Sequence, residues 1–205
     1  MGVYERRIFP WINDRLTGHA QMVALRRELL AAAAGDVVEI GFGSGLNLPY
    51  YPRGVASLTA IEPNAGMLDR ARGRLTTFGR PVSVINAPAE RLSFGDGAFD
   101  TAVSTLVLCS VRDPLAVLRE LRRVLKPEGR FLVLEHGRAP DGRVARWQDR
   151  LNGLQNIVAC GCNLNRPVVP AVEMAGFQFE RVRGFYLERA PKALAWMTLG
   201  VAVKV

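Results

Sequence analysis

The chain has 205 residues, 49% of them apolar and 22% charged, a balance that excludes a disordered polymer and leaves enough apolar chain to bury a full core. Its net charge of +8 is carried by 24 arginines and 3 lysines. That excess fits an anionic partner (nucleic acid or a lipid surface) or a genome that favours arginine codons, and the scatter of the arginines over many short segments favours the second.

No apolar run reaches membrane-spanning length, and the first twenty residues carry no signal-peptide pattern. Cys109, Cys160 and Cys162 form no even framework, so a reducing, cytoplasmic setting is expected. The pair in "CGC" has no second pair or nearby histidine to complete a zinc site. No metal is expected, and the thiols read as buried or loop residues.

In chain order, "NDRLTGHAQMVALRRELLAAAAG" predicts a helix capped by Asn13 or Asp14, with Leu16, Ala20, Val23 and Leu30 in helical spacing and Gly35 as the stop. "VVEIGF" reads as a first strand and "SLTAIEP" as a second, followed by a helix through "NAGMLDRARGRL". "VSVINA" and "FDTAVSTLVL" are the third and fourth strands. Pro114 opens a helix, "PLAVLRELRRVLK", whose Leu115, Leu118, Leu121 and Leu125 form one stripe. "GRFLVLEHG" is a fifth strand, residues 141 to 158 read as helical, and "RPVVPAVEMAG" gives a short helix. Strands apolar on both faces and alternating with helices imply an α/β, doubly wound parallel sheet. The closing runs "FQFERVRGFYL" and "WMTLGVAVKV" lie eight residues apart and predict an antiparallel hairpin on that sheet.

The glycine loop after the first strand places backbone at the carboxyl edge of the sheet, where cofactors bind. A dinucleotide site wants GxGxxG. Here Gly41, Gly43 and Gly45 run GxGxG, and Leu46 stands where the third dinucleotide glycine belongs. Glu39, two residues before the first glycine, would repel a pyrophosphate and attract an ammonium group. Glu62 lies 17 residues after Gly45, where an acid accepts from ribose hydroxyls. A ligand with a ribose, a cationic amine and no phosphate is S-adenosylmethionine.

"VVEIGFGSG" and "AIEP" resemble the first two motifs of class I S-adenosylmethionine-dependent methyltransferases, and residues 89 to 136 are similar to the remaining core motifs. The resemblance implies a seven-stranded, Rossmann-like methyltransferase sheet with an antiparallel last strand. It covers residues 35–205, the cofactor-binding part, which an N-terminal helical cap, 1–34, precedes; with no internal repeat or low-complexity linker, the chain reads as a single domain overall. The resemblance also implies site roles. Glu39 would meet the methionine amine, and Gly41, Phe42, Gly43 and Gly45 would give backbone contacts. Glu62 would hold the ribose, with Pro63 and Met67 flanking the adenine and Ala89 and Glu90 at its polar edge. Thr105 and Leu106 would lie beside the sulfonium. Pro88 stands where many relatives carry an aspartate for the adenine amino group.

"STLVLCSVRD", "EHG" and "CGCNLNR", with "GVAVK" at the end, resemble the methyltransferase-like 7 group, which implies a small-molecule acceptor such as a thiol. The shared core motifs also resemble quinone and phospholipid-headgroup methyltransferases, which act at membranes. "YERRIFPWINDR" would suit a helix lying peripherally on anionic lipid, or a cap over the active site from which Tyr4 reaches the methionine carboxylate. His136, at the end of the fifth strand, reads as the candidate general base, or as a histidine that only bonds the strand end. Cys109 reads as a packed thiol near the substrate mouth, and Arg166 as a group that could orient an acidic substrate. The Asn/Asp-Pro-Pro-aromatic signature of many base methylases is missing after the fourth strand, so no nucleic acid partner is expected.

Overall fold

The computed structural model describes residues 2–205 as one seven-stranded sheet in the order β3-β2-β1-β4-β5-β7-β6. The strands are β1 (Gly35–Ile40), β2 (Val55–Ile61), β3 (Val82–Ile85), β4 (Phe99–Thr105), β5 (Leu125–His136), β6 (Phe177–Tyr186) and β7 (Trp196–Lys204). Neighbours pair in parallel from β3 across to β5, while β7 inserts antiparallel between β5 and β6. The chain winds outward from β1 to β3 and then returns to place β4 on the other side of β1. That reversal opens a crevice at the carboxyl ends of β1 and β4, where doubly wound folds bind ligands.

Helices cover both faces, which is why the inner strands can be apolar throughout. On one face α4 (Pro114–Val124) and α6 (Val168–Met174) bury Val117, Leu118, Leu121 and Val172 against Phe131, Val133 and Phe177. On the other, α2 (Ala20–Leu30) and α3 (Ala65–Thr77) bury Met22, Leu25, Leu29 and Ala71 against Val37, Leu132 and Leu134. The remaining helices are α5 (Gly142–Val158) and the short α7 (Lys192–Ala195).

Three boundaries differ from the sequence expectation. The N-terminal helix is not one unit. A π-helical turn, Tyr4–Ile8, runs into α1 (Phe9–Thr17), and the chain breaks at Gly18 and His19 before α2. Asp14 therefore lies inside α1 and caps nothing; its carboxylate bonds Ser44 and Arg70. Leu16 is exposed, and the apolar residues that α2 buries are Met22, Leu25, Leu29 and the expected Leu30. The α4 stripe is Val117, Leu118, Leu121 and Val124, because Leu125 leaves the helix and begins β5. Finally, β4 stops at Thr105, where Leu106 turns to a φ of 60°.

The N-terminal segment is pinned across the carboxyl edge of the sheet. Asn64 Nδ2 donates to the Glu5 carbonyl at 3.0 Å, and Tyr4 Oη donates to the Val158 carbonyl at 2.6 Å. The first turn thus bridges the start of α3 and the end of α5. Gly66 permits this approach, since a methyl group there would collide with the Arg6 carbonyl. Gly66→Ala is expected to displace residues 2–8 while leaving the sheet intact. Trypsin should then cut at Arg6 and Arg7 at least about tenfold faster than in the wild type. Unchanged cleavage would show that the segment does not depend on this contact.

Candidate active site

The glycine loop, residues 41–47, is built over a buried charge. Glu39 is the penultimate residue of β1, with 2% exposure, in the centre of the sheet. Its Oε1 accepts from Asn47 Nδ2 at 2.8 Å and its Oε2 from Tyr51 Oη at 2.7 Å. Asn47 also donates to Thr105 Oγ1 at 3.1 Å and accepts from Arg26 Nη1 at 2.9 Å. Burial raises the Glu39 carboxyl to about 7, against the hydrogen bonds from Tyr51 and Asn47 and the charge of Arg26, which favour the anion. Both carboxylate oxygens are therefore engaged beneath the loop.

Gly43 has a φ of 61°, and a Cβ there would meet only the Gly41 carbonyl, at 3.7 Å. Its backbone is open to a ligand. Gly41, at φ 56°, is needed for packing, since a Cβ would strike Val107. Phe42 is buried and offers only backbone to this face. Directly after β2, Glu62 accepts from Gly43 N–H at 2.8 Å and from Asn64 N–H at 2.7 Å. Burial raises its pKa, opposed by those two N–H groups.

The other expected residues surround this loop. Met67 and Ala89 are buried and Pro63 is exposed. Glu90 accepts from Arg112 N–H at 3.0 Å, which directs it toward the turn before α4. Thr105 ends β4 beside Asn47, and Leu106 follows it in the turn. The left-handed Leu106 is held by its own N–H to Leu134 O at 2.9 Å, and the adjacent Val107 N–H donates to Glu135 Oε1 at 2.8 Å. Tyr4 is committed to the Val158 carbonyl and would have to leave it to reach a ligand carboxylate.

At the end of β5, His136 Nε2 lies 3.0 Å from Cys162 Sγ, so the expected base is not free in this arrangement. Burial opposes its protonation, but the hydrogen bond and charge of Cys162, with Glu135 adding, outweigh that and raise its pKa. Cys109 joins the pair, and the three side chains have their ligand atoms within 4.8 Å of one another. Local spacing gave no zinc signature. Folding brings together a histidine and two thiols from three separate segments, with Cys162 but not Cys160 taking part. Arg166 donates to the Leu108 and Val111 carbonyls, at 2.5 and 2.7 Å. Its Nη1 thereby braces the turn that carries Cys109.

Residues 38–133 match the methyltransferase domain family. The chain is 34% identical to human thiol S-methyltransferase TMT1B over 209 residues, covering 94% of this chain and 82% of that one. The chain belongs to the S-adenosylmethionine-dependent methyltransferases. It is also 34% identical to a phosphatidylethanolamine N-methyltransferase of Cereibacter sphaeroides, over 61% of this chain and 62% of that one. A methyltransferase structure from Thermotoga maritima superposes with a TM-score of 0.71 at 22% identity, covering 98% of each chain. The seven-stranded, Rossmann-like methyltransferase fold expected from the sequence is the fold observed.

The residues of this methyltransferase fit its cofactor. The Gly43 backbone is approachable, and two buried acids, Glu39 and Glu62, flank the glycine loop, a charge that suits a cationic ligand. When bound, S-adenosylmethionine supplies an electrophilic methyl on a sulfonium. Sequence reasoning missed Arg26, Asn47 and Tyr51. The one local signal was a polar Asn47 among the apolar residues of "GLNLPYY".

A cationic ligand favours ionised Glu39, so below pH 7 binding must also expel a proton from that carboxyl. Affinity for S-adenosylmethionine, followed by calorimetry, is expected to fall by up to about tenfold per pH unit as pH drops from roughly 7 to 5.5. Glu39→Gln, which cannot titrate, is expected to flatten that profile. The same slope in the variant would assign it to another group.

Proposed function

We propose that this methyltransferase transfers the methyl group to the thiol sulfur of a small molecule. The carrying observation is the likeness to thiol S-methyltransferases over 94% of the chain, well beyond the residues 38–133 shared with the wider family. Enzyme action here is mainly alignment and exclusion of water, because the methyl donor is already reactive. Gly41, Phe42, Gly43 and Gly45 present backbone to the methionine end, with the Glu39 charge behind them. Glu62 holds the ribose, Pro63 and Met67 flank the adenine, and Ala89 and Glu90 lie at its polar edge. Thr105 and Leu106 face the sulfonium, where the strained φ of Leu106 supports a placed contact.

A second reading, a lipid-headgroup acceptor at a membrane surface, is favoured by one feature. Val3, Ile8, Trp11 and Leu16 are exposed on the N-terminal segment, interspersed with Arg6, Arg7 and Arg15. No helix among the described residues is long and apolar enough to cross a membrane.

One assay separates the readings. S-adenosylhomocysteine production is measured with mercaptoethanol, a phenol, a primary amine and phosphatidylethanolamine vesicles at matched concentration. The thiol is expected to turn over at least about tenfold faster than the others, since a thiolate is intrinsically a far stronger nucleophile toward a methyl carbon than a phenolate or an amine. Faster turnover of the vesicles would replace the thiol reading with the lipid one.

A further inference from the structure

The cluster formed by Cys109, His136 and Cys162 sits at the same carboxyl edge as the cofactor loop, and nothing so far gives it a role. We propose that these three side chains form a site for a zinc-class divalent cation, whose fourth position takes the thiol to be methylated. The second half of this proposal rests on the thiol reading above; the first does not.

Geometry and chemistry both point to such an ion. Zinc bonds to sulfur and imidazole nitrogen are about 2.3 and 2.0 Å, so tetrahedral ligand atoms stand roughly 3.5–3.8 Å apart. The three ligand atoms lie within 4.8 Å of one another, and the pair at 3.0 Å has only to open by about half an ångström. Two thiolates and a divalent cation are neutral together, so Cys109 and Cys162 can be buried without an uncompensated charge. The absence of a carboxylate from the set disfavours oxygen-seeking cations.

The surroundings are built as thiolate sites are. Each sulfur has a donor in reach: Gln155 Nε2 at 3.6 Å from Cys162, and Ser110 Oγ at 3.3 Å from Cys109. The segments carrying the ligands are also tied to one another. Asn163 donates its N–H to the Cys109 carbonyl at 2.8 Å, and Arg138 N–H donates to the Arg166 carbonyl at 2.9 Å. Cys160 and Gly161 both adopt positive φ, 48° and 97°, to aim Cys162 inward. Three protein ligands leave one position open, as in catalytic rather than structural zinc sites. His136 is only partly buried, and Cys109 Sγ lies 3.6 Å from the carbonyl of Leu106, the residue expected beside the sulfonium.

The step balances without redox change. An acceptor thiol enters the fourth position, loses its proton to solvent and binds as thiolate. Its lone pair forms the new carbon–sulfur bond while the methyl–sulfonium bond breaks, leaving that electron pair on the cofactor sulfur. The product is a neutral thioether, a weak ligand that departs.

Cobalt(II), a coloured stand-in for zinc, tests this on the full chain. The wild type is expected to bind one equivalent with tetrahedral visible bands and a near-ultraviolet sulfur-to-cobalt band. Mercaptoethanol should increase the latter by about half, as three sulfurs replace two. Cys109→Ser and Cys162→Ser, checked for folding by near-ultraviolet circular dichroism, should each weaken binding at least about tenfold. Cys160→Ser should bind as the wild type does. Folded wild type without a sulfur-to-cobalt band would overturn the metal site, and a band indifferent to mercaptoethanol would overturn the role of the fourth position. Full-rate thiol methylation by chelator-stripped protein would overturn the role of the fourth position and leave the thiol reading standing. A site that forms as described in a protein that methylates no thiol would instead overturn the thiol reading, and the fourth-position role with it.

Discussion

A carboxylate buried at the centre of the sheet sets the positions of the segments around it. Glu39, the penultimate residue of the middle strand, has almost no exposure, and an unpaired charge there would cost several kcal/mol. Asn47 and Tyr51 answer that cost directly, so the chain leaving β1 has to double back beneath its own glycine loop. Asn47 then reaches Thr105 and Arg26, which ties the loop to the end of β4 and to α2. Four parts of the chain are located by one acid.

The same device recurs along the sheet edge. Glu62 directly follows β2 and holds Gly43 N–H, in the loop after the neighbouring β1. Glu135, near the end of β5, holds Val107 N–H in the turn after the neighbouring β4 and accepts from Ser104 Oγ within that strand. Each of these acids orders a neighbouring loop at the carboxyl edge, and burial raises the pKa of all three. The edge is thus preorganised by acids in a protein of net charge +8, which suits a cationic cofactor. The N-terminal segment extends the arrangement: Asp14 bonds Ser44 of the glycine loop and Arg70 of α3, so that segment and the loop share a contact.

Much of this was legible in the sequence, for physical reasons that also explain the gaps. Strand order and cofactor class follow from short-range features: apolar runs, the GxGxG spacing, an acid 17 residues on. The partners of those acids do not. Arg26 and Asn47 are 21 positions apart, and neither an apolar pattern nor a turn signal relates them. Likewise Cys109, His136 and Cys162 are separated by 27 and 26 positions, and only the closing of the sheet edge brings them together. The helix broken at Gly18 and the stripe that passes through Val117 and Val124 show a milder limit. Helical spacing indicates which residues share a face, but the sheet decides which face is covered.

The claim that the Glu39 network organises the cofactor loop is tested most directly by removing its central amide. Asn47→Ala leaves every backbone contact of the loop in place but deprives Glu39, Arg26 and Thr105 of their shared partner. Calorimetry on folded variant is predicted to show S-adenosylmethionine binding at least about tenfold weaker than in the wild type. Wild-type affinity in that variant would contradict the account.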